Sequence, residues 1–266
     1  MTPKFRLTAT TFIALLVLIF AVSCRDNQSS PSANAGGSKR EIGDKKVAVN
    51  SSKAAWPPLA KDGKEVVLDK NLIAKNYYVV FDGSGSMDDK ACGSNDKKIM
   101  VARRALGEWG KTISSDANLG LLTFDNRGIA ERVTLGVGGK NRNNFTNEIN
   151  VAGPSGGTPL YSAIVIAYEK LENQARKQLG YGEYNLVVVT DGEANVGENP
   201  KQIVNYVSEN SPVVIHTIGF CIGSNHSLNQ RGRTNYKEAN NPESLKDGLK
   251  EVLAESSTFD PNVFSK

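Results

Sequence analysis

The chain has 266 residues, of which 39% are hydrophobic and 23% are charged, and these proportions are ordinary for a globular protein. This length allows one domain with tails or two small domains. Lysine and arginine together number 32 against 28 acidic residues, and several of the cations lie before residue 76. Because no basic stripe is interleaved with aromatic residues, the sequence excludes a nucleic-acid interface. It also lacks a G-x-x-x-x-G-K-[ST] motif, which excludes a nucleotide-binding ATPase of its own.

Residues 1–23 have the pattern of a signal peptide. Lys4 and Arg6 give a positive start, and the apolar run that follows over residues 12–22 is too short for a comfortable membrane span. The run ends in Ala-Val-Ser-Cys, which resembles a bacterial lipobox, although alanine stands where leucine is usual. This resemblance implies that Cys24 is lipidated and anchors the mature protein to a membrane. The alternative is an ordinary secretory signal with an incidental cysteine.

Residues 24–55 are rich in Ser, Asn, Ala, Gly and Lys, and they contain too few large apolar residues to offset the entropy of ordering. They therefore predict a flexible tether that displays the rest of the chain in a bacterial cell envelope. Arg25, rather than aspartate, follows the lipidation site and favours the outer membrane. Residues 56–75 are either a linker or an N-terminal extension that packs on the domain, and residues 257–266 form a C-terminal tail.

Strand and helix patterns alternate between residues 76 and 256, which we predict to be one domain. A buried strand ends near Asp82, and an apolar stripe at helical spacing predicts a helix over 97–113. Strands over 119–124 and 130–135 read as a hairpin. A helix from 160, a strand over 186–190, a helix from Pro200, a strand over 213–218 and a last helix near 245–253 follow. This order predicts an α/β fold: a doubly wound, mostly parallel sheet with one antiparallel edge strand and helices on both faces.

Oxygen-bearing side chains follow two of these strands and one glycine-rich loop. Asp82, Ser84 and Ser86 come directly after the first strand, with glycines between them that let the backbone curl. Thr158 lies in Gly-Gly-Thr-Pro at the start of a helix, and Asp191 ends a later strand. Because the carboxyl ends of parallel strands share one edge of a sheet, these residues should lie close together. Carboxylates and hydroxyls are hard oxygen donors, which Mg²⁺ and Ca²⁺ prefer.

This set of residues resembles the von Willebrand factor A (VWA) domain and its metal-ion-dependent adhesion site. The resemblance covers roughly residues 76–256. It implies a Rossmann-like VWA fold in which Ser84, Ser86 and Thr158 contact the metal, while Asp82 and Asp191 hold waters and orient the serines. The implied cofactor is Mg²⁺, with Mn²⁺ or Ca²⁺ as alternatives. The implied partner is a protein that offers Asp or Glu to the metal, so the expected function is metal-dependent protein binding in adhesion or complex assembly, not catalysis.

The three cysteines divide between a lipid anchor and a pair. With Cys24 assigned to the lipid, Cys92 and Cys221 remain in an expected oxidising compartment, and each follows a strand at the predicted binding edge. We predict a disulfide between them that buttresses the site, with two unpaired thiols as the alternative. Zinc is not expected, because the cysteines are not at ligand spacing and the chain has only 2 histidines.

Three other functions fit parts of the sequence. Ser84 or Ser86, Asp191 and His226 occur in the chain order of an α/β-hydrolase triad, although the G-x-S-x-G elbow is absent and a triad would leave Thr158 unused. A second alternative is a structural VWA domain with an idle metal site. The third is an adaptor for a ring-shaped ATPase, which the signal segment disfavours because such adaptors are cytoplasmic.

Overall fold

The structure, a computed structural model, describes residues 55–59 and 65–255, all of which fall in one compact unit. The predicted signal peptide, Cys24, nearly all of the tether and the tail over 257–266 lie outside the described residues. Among the helices of the described residues, none is both long enough and apolar enough to cross a bilayer.

A six-stranded sheet with the order β3-β2-β1-β4-β5-β6 forms the centre of the fold. The strands are β1 (Lys75–Asp82), β2 (Asn118–Asp125), β3 (Gly128–Gly136), β4 (Glu183–Thr190), β5 (Val214–Phe220) and β6 (Asn235–Ala239). All neighbouring pairs are parallel except β2 and β3, which form an antiparallel hairpin at one edge. The predicted sheet, with its single antiparallel edge strand, is therefore confirmed.

Helices cover both faces of the sheet, as predicted. They are α1 (Lys98–Thr112), α2 (Gly138–Val151), α3 (Leu160–Lys177), α4 (Lys201–Asn210) and α5 (Pro242–Glu255), and a short 3₁₀ turn spans Gly85–Asp88. Alternate residues of β1 point to opposite faces. Val79 and Phe81 pack with α1, α2 and α5, whereas Tyr78 and Val80 pack with α3 and α4. Because both faces are covered, β1 and β4 are continuous apolar runs.

Two of the described residues that precede β1, Trp56 and Asp69, contact the start of β4 and helix α3. The Trp56 ring meets Tyr184 edge-on, with centroids 4.8 Å apart, and its Nε1 donates to the Tyr168 hydroxyl at 3.2 Å. The backbone N–H of Asp69 donates to the Lys177 carbonyl at 2.9 Å. These contacts join parts of the described segment to the domain.

Two elements were not predicted from the sequence. Helix α2 carries few apolar residues, and only Phe145 and Ile149 of these are buried. Strand β6 has the polar sequence Asn-Tyr-Lys-Glu-Ala and forms because β5 offers it a parallel partner. Neither element has the apolar periodicity by which the others were recognised.

Candidate metal centre

Asp82 ends β1 in the middle of the sheet, and its carboxylate is fully buried. One oxygen accepts the Ser84 backbone N–H at 2.7 Å, and the other accepts the Thr190 hydroxyl at 2.6 Å. Burial, together with the negative charge of Asp191, raises the pKa of Asp82 to about 6. Since both oxygens already have protein donors, this carboxylate is suited to orienting the loop that follows β1.

The two serine hydroxyls and Asp191 form a chain of hydrogen bonds across the central strands. Ser84 Oγ and Ser86 Oγ are 3.1 Å apart, and Ser86 Oγ donates to Asp191 Oδ1 at 2.8 Å. Asp191 directly follows β4, and its side chain has no solvent exposure. The parallel pairing of β1 with β4 therefore brings together residues that are 105 positions apart in the chain.

Thr158 reaches the same edge on a loop that is bonded to the β1 loop. The N–H of Gly85 donates to the Gly156 carbonyl, and the N–H of Ser155 donates to the Gly83 carbonyl, both at 2.9 Å. A Cβ placed on Gly192 would lie 3.5 Å from Thr158 Oγ1 and 3.6 Å from Ser86 Oγ. Both hydroxyls thus border one small space, and the absence of a side chain at residue 192 keeps that space open.

Asn195 holds the Thr158 loop from the other side and was not identified from the sequence. Its Oδ1 accepts the Thr158 N–H, and its own N–H donates to the Thr158 carbonyl, both at 3.0 Å. A Cβ on Gly157 would lie 2.4 Å from Asn195 Nδ2, so the close approach requires glycine. Nothing in the local sequence signals this contact, because it spans 37 positions.

Lys98 is a second site residue that sequence reasoning missed. Its Nζ lies 2.9 Å from Asp191 Oδ2, and its side chain is only 13% exposed. Lys98 is the first residue of α1, where the helix dipole disfavours a cation. A lysine at that position was the available signal that a carboxylate lies nearby.

Asp125, which the sequence analysis did not assign to the site, is buried at the end of β2. Its carboxylate accepts from Arg127 at 2.7 Å and from Arg132 at 3.2 Å, and the bonds from Arg127 hold its pKa below the usual range despite its burial. A Cβ on Gly83 would lie only 2.7 Å from Asp125 Cβ. Asp125 therefore packs against the loop that carries the serines, and its charge is satisfied by arginines.

Cys92 and Cys221 are joined by a disulfide in the structure, with their Cα atoms 5.7 Å apart. Cys92 lies in the loop between β1 and α1, and Cys221 directly follows β5. The N–H of Cys221 also donates to the Ala239 carbonyl at 2.8 Å at the end of β6. The bridge thus ties the loop after β1 to the outer strands on the same edge as Asp82.

The hydrolase triad that the chain order suggested is not assembled. His226 Nε2 lies 2.9 Å from the Gly192 carbonyl, and its Nδ1 accepts the Leu228 N–H at 3.1 Å. Both ring nitrogens are therefore engaged with the backbone, and the hydroxyl of Ser86 is bonded to Asp191 instead. His226 supports the turn after Asp191 rather than activating a serine.

The donors at this edge fit a hard divalent cation better than a soft one. Within residues 55–59 and 65–255, no three His, Cys, Asp or Glu side chains form a metal-binding cluster. The edge instead offers the carboxylates of Asp82 and Asp191 and the hydroxyls of Ser84, Ser86 and Thr158. Oxygen donors with little negative charge suit Mg²⁺ or Mn²⁺, which keep several waters when bound.

The family model for the von Willebrand factor type A domain matches residues 76–249. The chain belongs to this family. Among curated proteins, the VWA chain is 26% identical over 157 residues to the uncharacterized protein YwmD of Bacillus subtilis (strain 168). The aligned region covers 54% of this chain and 67% of YwmD.

Solved structures share the VWA fold at low sequence identity. Manganese-loaded TRAP protein of Plasmodium vivax has a TM-score of 0.51 at 19% identity, covering 68% of this chain and 74% of that chain. The pilus adhesin SpaC of Lactobacillus rhamnosus GG has a TM-score of 0.52 at 12% identity, covering 72% of this chain. The match spans 31% of SpaC.

Proposed function

We propose that this protein is a lipid-anchored VWA lipoprotein of the bacterial cell envelope that binds a protein partner through a divalent cation. VWA domains are typically non-enzymatic interaction modules, and similar folds occur in a pilus adhesin and in a manganese-loaded protein. The proposed site consists of Asp82, Ser84, Ser86, Thr158 and Asp191. The proposed cation is Mg²⁺ or Mn²⁺, with Ca²⁺ as the alternative.

The observation that carries this proposal is the small space beside Gly192. The hydroxyls of Ser86 and Thr158 border it, and Ser84 Oγ lies 3.1 Å from Ser86 Oγ. The buried carboxylates of Asp82 and Asp191 belong to the same edge. Asp191 accepts a hydrogen bond from the Ser86 hydroxyl, and Asp82 accepts one from the Thr190 hydroxyl. Hydroxyls that lie close to buried carboxylates are suited to holding a cation whose remaining coordination positions are filled by water.

The residues of the chain have separate roles in this account. Ser84, Ser86 and Thr158 would hold the cation, while Asp82 and Asp191 would orient the serines and supply negative charge. When bound, the cation supplies an electrophilic centre that accepts a carboxylate oxygen. A partner's Asp or Glu would provide that oxygen, and the surrounding loops would contact the rest of the partner.

The location of the protein depends on its N-terminal segment. Cys24 would carry the lipid, and residues 24–55 would tether the domain to the membrane, with the outer membrane favoured. The described extension around Trp56 packs near Tyr184 at the start of β4, whereas Asp191 follows the end of that strand. Trp56 thus lies near the start of β4, at the end of the strand opposite the proposed metal site.

The test is metal-dependent capture of envelope proteins by the full chain and by Thr158→Val. The variant removes one hydroxyl from the proposed site and keeps the shape of the side chain. We expect partners that bind in Mg²⁺, are released by EDTA and are lost in Thr158→Val. The same captured proteins in EDTA and with the variant would overturn metal-dependent binding. For the anchor, Cys24→Ser should move the protein out of the membrane fraction, and retention there would overturn lipidation at this residue.

A further inference from the structure

The proposed metal site contains a third charged group, the ammonium of Lys98. Its Nζ lies 2.9 Å from Asp191 Oδ2, while the nearest other carboxylate, on the 73% exposed Asp89, is 3.9 Å away. The side chain of Lys98 is 13% exposed and that of Asp191 is not exposed at all. Solvent therefore screens this ion pair far less than a surface pair.

The helix that carries Lys98 does not explain its burial. Lys98 is the first residue of α1, and its backbone N–H donates to the Asp89 carbonyl at 2.9 Å. Exposed backbone donors at a helix start disfavour a cation, so the position is unfavourable for Lys98 apart from its bond to Asp191. Lys97 has no such role, because its ammonium pairs with Asp88 where both side chains are more than half exposed.

Asp82, Asp191 and Lys98 together carry one net negative charge. Asp82 and Asp191 contribute two negative charges, and Lys98 offsets one of them. A bound divalent cation would bring the site to one net positive charge, and one incoming carboxylate would bring it to zero. Without Lys98, the cation alone would neutralise the site and a carboxylate would make it negative.

We propose that Lys98 sets the charge of this site so that the cation binds weakly alone and tightly together with a carboxylate from the partner. This inference rests on the proposed metal-dependent function and adds the residue that couples the two ligands. Lys98 thus determines specificity, because its positive charge lowers the affinity of the site for the cation and raises the affinity of the cation-loaded site for a carboxylate. A nearby unit charge in partly buried surroundings changes the binding of a divalent cation by about tenfold or more.

Calorimetric titration of the full chain in detergent with Mn²⁺ tests the first half of this proposal. Lys98→Met removes the charge, and Lys98→Gln removes the charge while keeping a hydrogen-bond donor for Asp191. Both variants should bind Mn²⁺ about tenfold more tightly than wild type or better. Lys97→Met is the matched control, since it removes a neighbouring lysine from an exposed pair, and its Mn²⁺ affinity should stay within about twofold of wild type.

Acetate tests the second half as a probe for the partner's carboxylate. Acetate at saturating concentration should tighten Mn²⁺ binding to wild type and to Lys97→Met, and it should have little effect on either Lys98 variant. Equal Mn²⁺ affinities in wild type and both Lys98 variants, or weaker binding in both variants, would overturn the proposal and leave Lys98 as a support for Asp191. If no protein binds Mn²⁺ at all, the proposed function fails and this inference fails with it.

Discussion

Substitution of Asn195 by alanine tests whether the Thr158 loop is held in place from a distance. Asn195 Oδ1 accepts the N–H of Thr158 at 3.0 Å, and Thr158 is only 6% exposed. The reverse bond, from the Asn195 N–H to the Thr158 carbonyl, uses backbone atoms and survives the change. The variant therefore loses one of two bonds and leaves a buried donor without its acceptor.

The expected cost follows from that single unsatisfied donor. A buried N–H without a partner destabilises a protein by about 1 to 3 kcal/mol, and the remaining backbone bond places Asn195→Ala near the lower half of that range. For a domain of this size, about 1 to 2 kcal/mol corresponds to a melting temperature lower by roughly 2 to 8 °C. Because Thr158 loses part of its positioning, the affinity for Mn²⁺ should also fall several-fold.

Asn199→Ala is the matched control within the same loop. Asn199 Oδ1 accepts the Lys201 N–H at 2.9 Å at the start of α4, so this variant also loses a side-chain acceptor. It should lose about 1 kcal/mol of stability without any change in Mn²⁺ affinity. Urea unfolding and calorimetric titration measure both quantities. Wild-type Mn²⁺ affinity in Asn195→Ala, or an equal loss of affinity in Asn199→Ala, would refute the role assigned to Asn195.

Three further predictions concern the rest of the domain. Trp56→Ala removes the aromatic contact with Tyr184 and should lower the unfolding free energy by about 1 to 2 kcal/mol, whereas an unchanged urea midpoint would show that the extension only rests on the surface. Burial lowers the pKa of His216 from 6.5 to about 4, so the imidazole binds a proton more tightly in the unfolded chain than in the folded one. The unfolding free energy should therefore fall by up to about 3 kcal/mol as the pH drops from 6.5 to 4. A His216→Gln variant that loses the same stability over this pH range would contradict the assignment to His216. Replacing Cys92 and Cys221 with serine should cost about 2 to 4 kcal/mol, and full wild-type stability without the bridge would show that it does not support the fold.

The central part of the fold was predictable because burial on both faces leaves a strong pattern. Strands β1 and β4 are runs of apolar residues, and α1 and α3 carry apolar stripes at helical spacing. Helix α2 lacks such a stripe because a buried arginine anchors it: Arg142 donates to the carbonyls of Ser114 and Ala117 at 2.7 and 2.6 Å. A search for apolar residues at helical spacing does not detect a charged residue that is buried through its hydrogen bonds.

The proximity of the residues that follow β1 and β4 was predictable from the parallel order of the strands. Parallel strands place their carboxyl ends on one edge, which is why residues after β1 and β4 meet there. Lys98 and Asn195 were missed because their roles depend on contacts across 93 and 37 positions, with loop residues whose positions the sequence does not specify. His226 was assigned to an alternative triad, and its bond to the Gly192 carbonyl instead makes it a support for the turn after Asp191.

The melting temperature of the full chain, measured as a function of Mn²⁺ or Mg²⁺ concentration, tests directly whether the folded domain binds a divalent cation. Binding to the folded state alone raises the melting temperature as ligand is added. We expect a rise for the wild type that is lost in Asp82→Ala and in Thr158→Val, each compared with its own metal-free melting temperature. No rise in the wild type up to millimolar metal, or an equal rise in all three proteins, would contradict a divalent-cation site at this edge of the sheet.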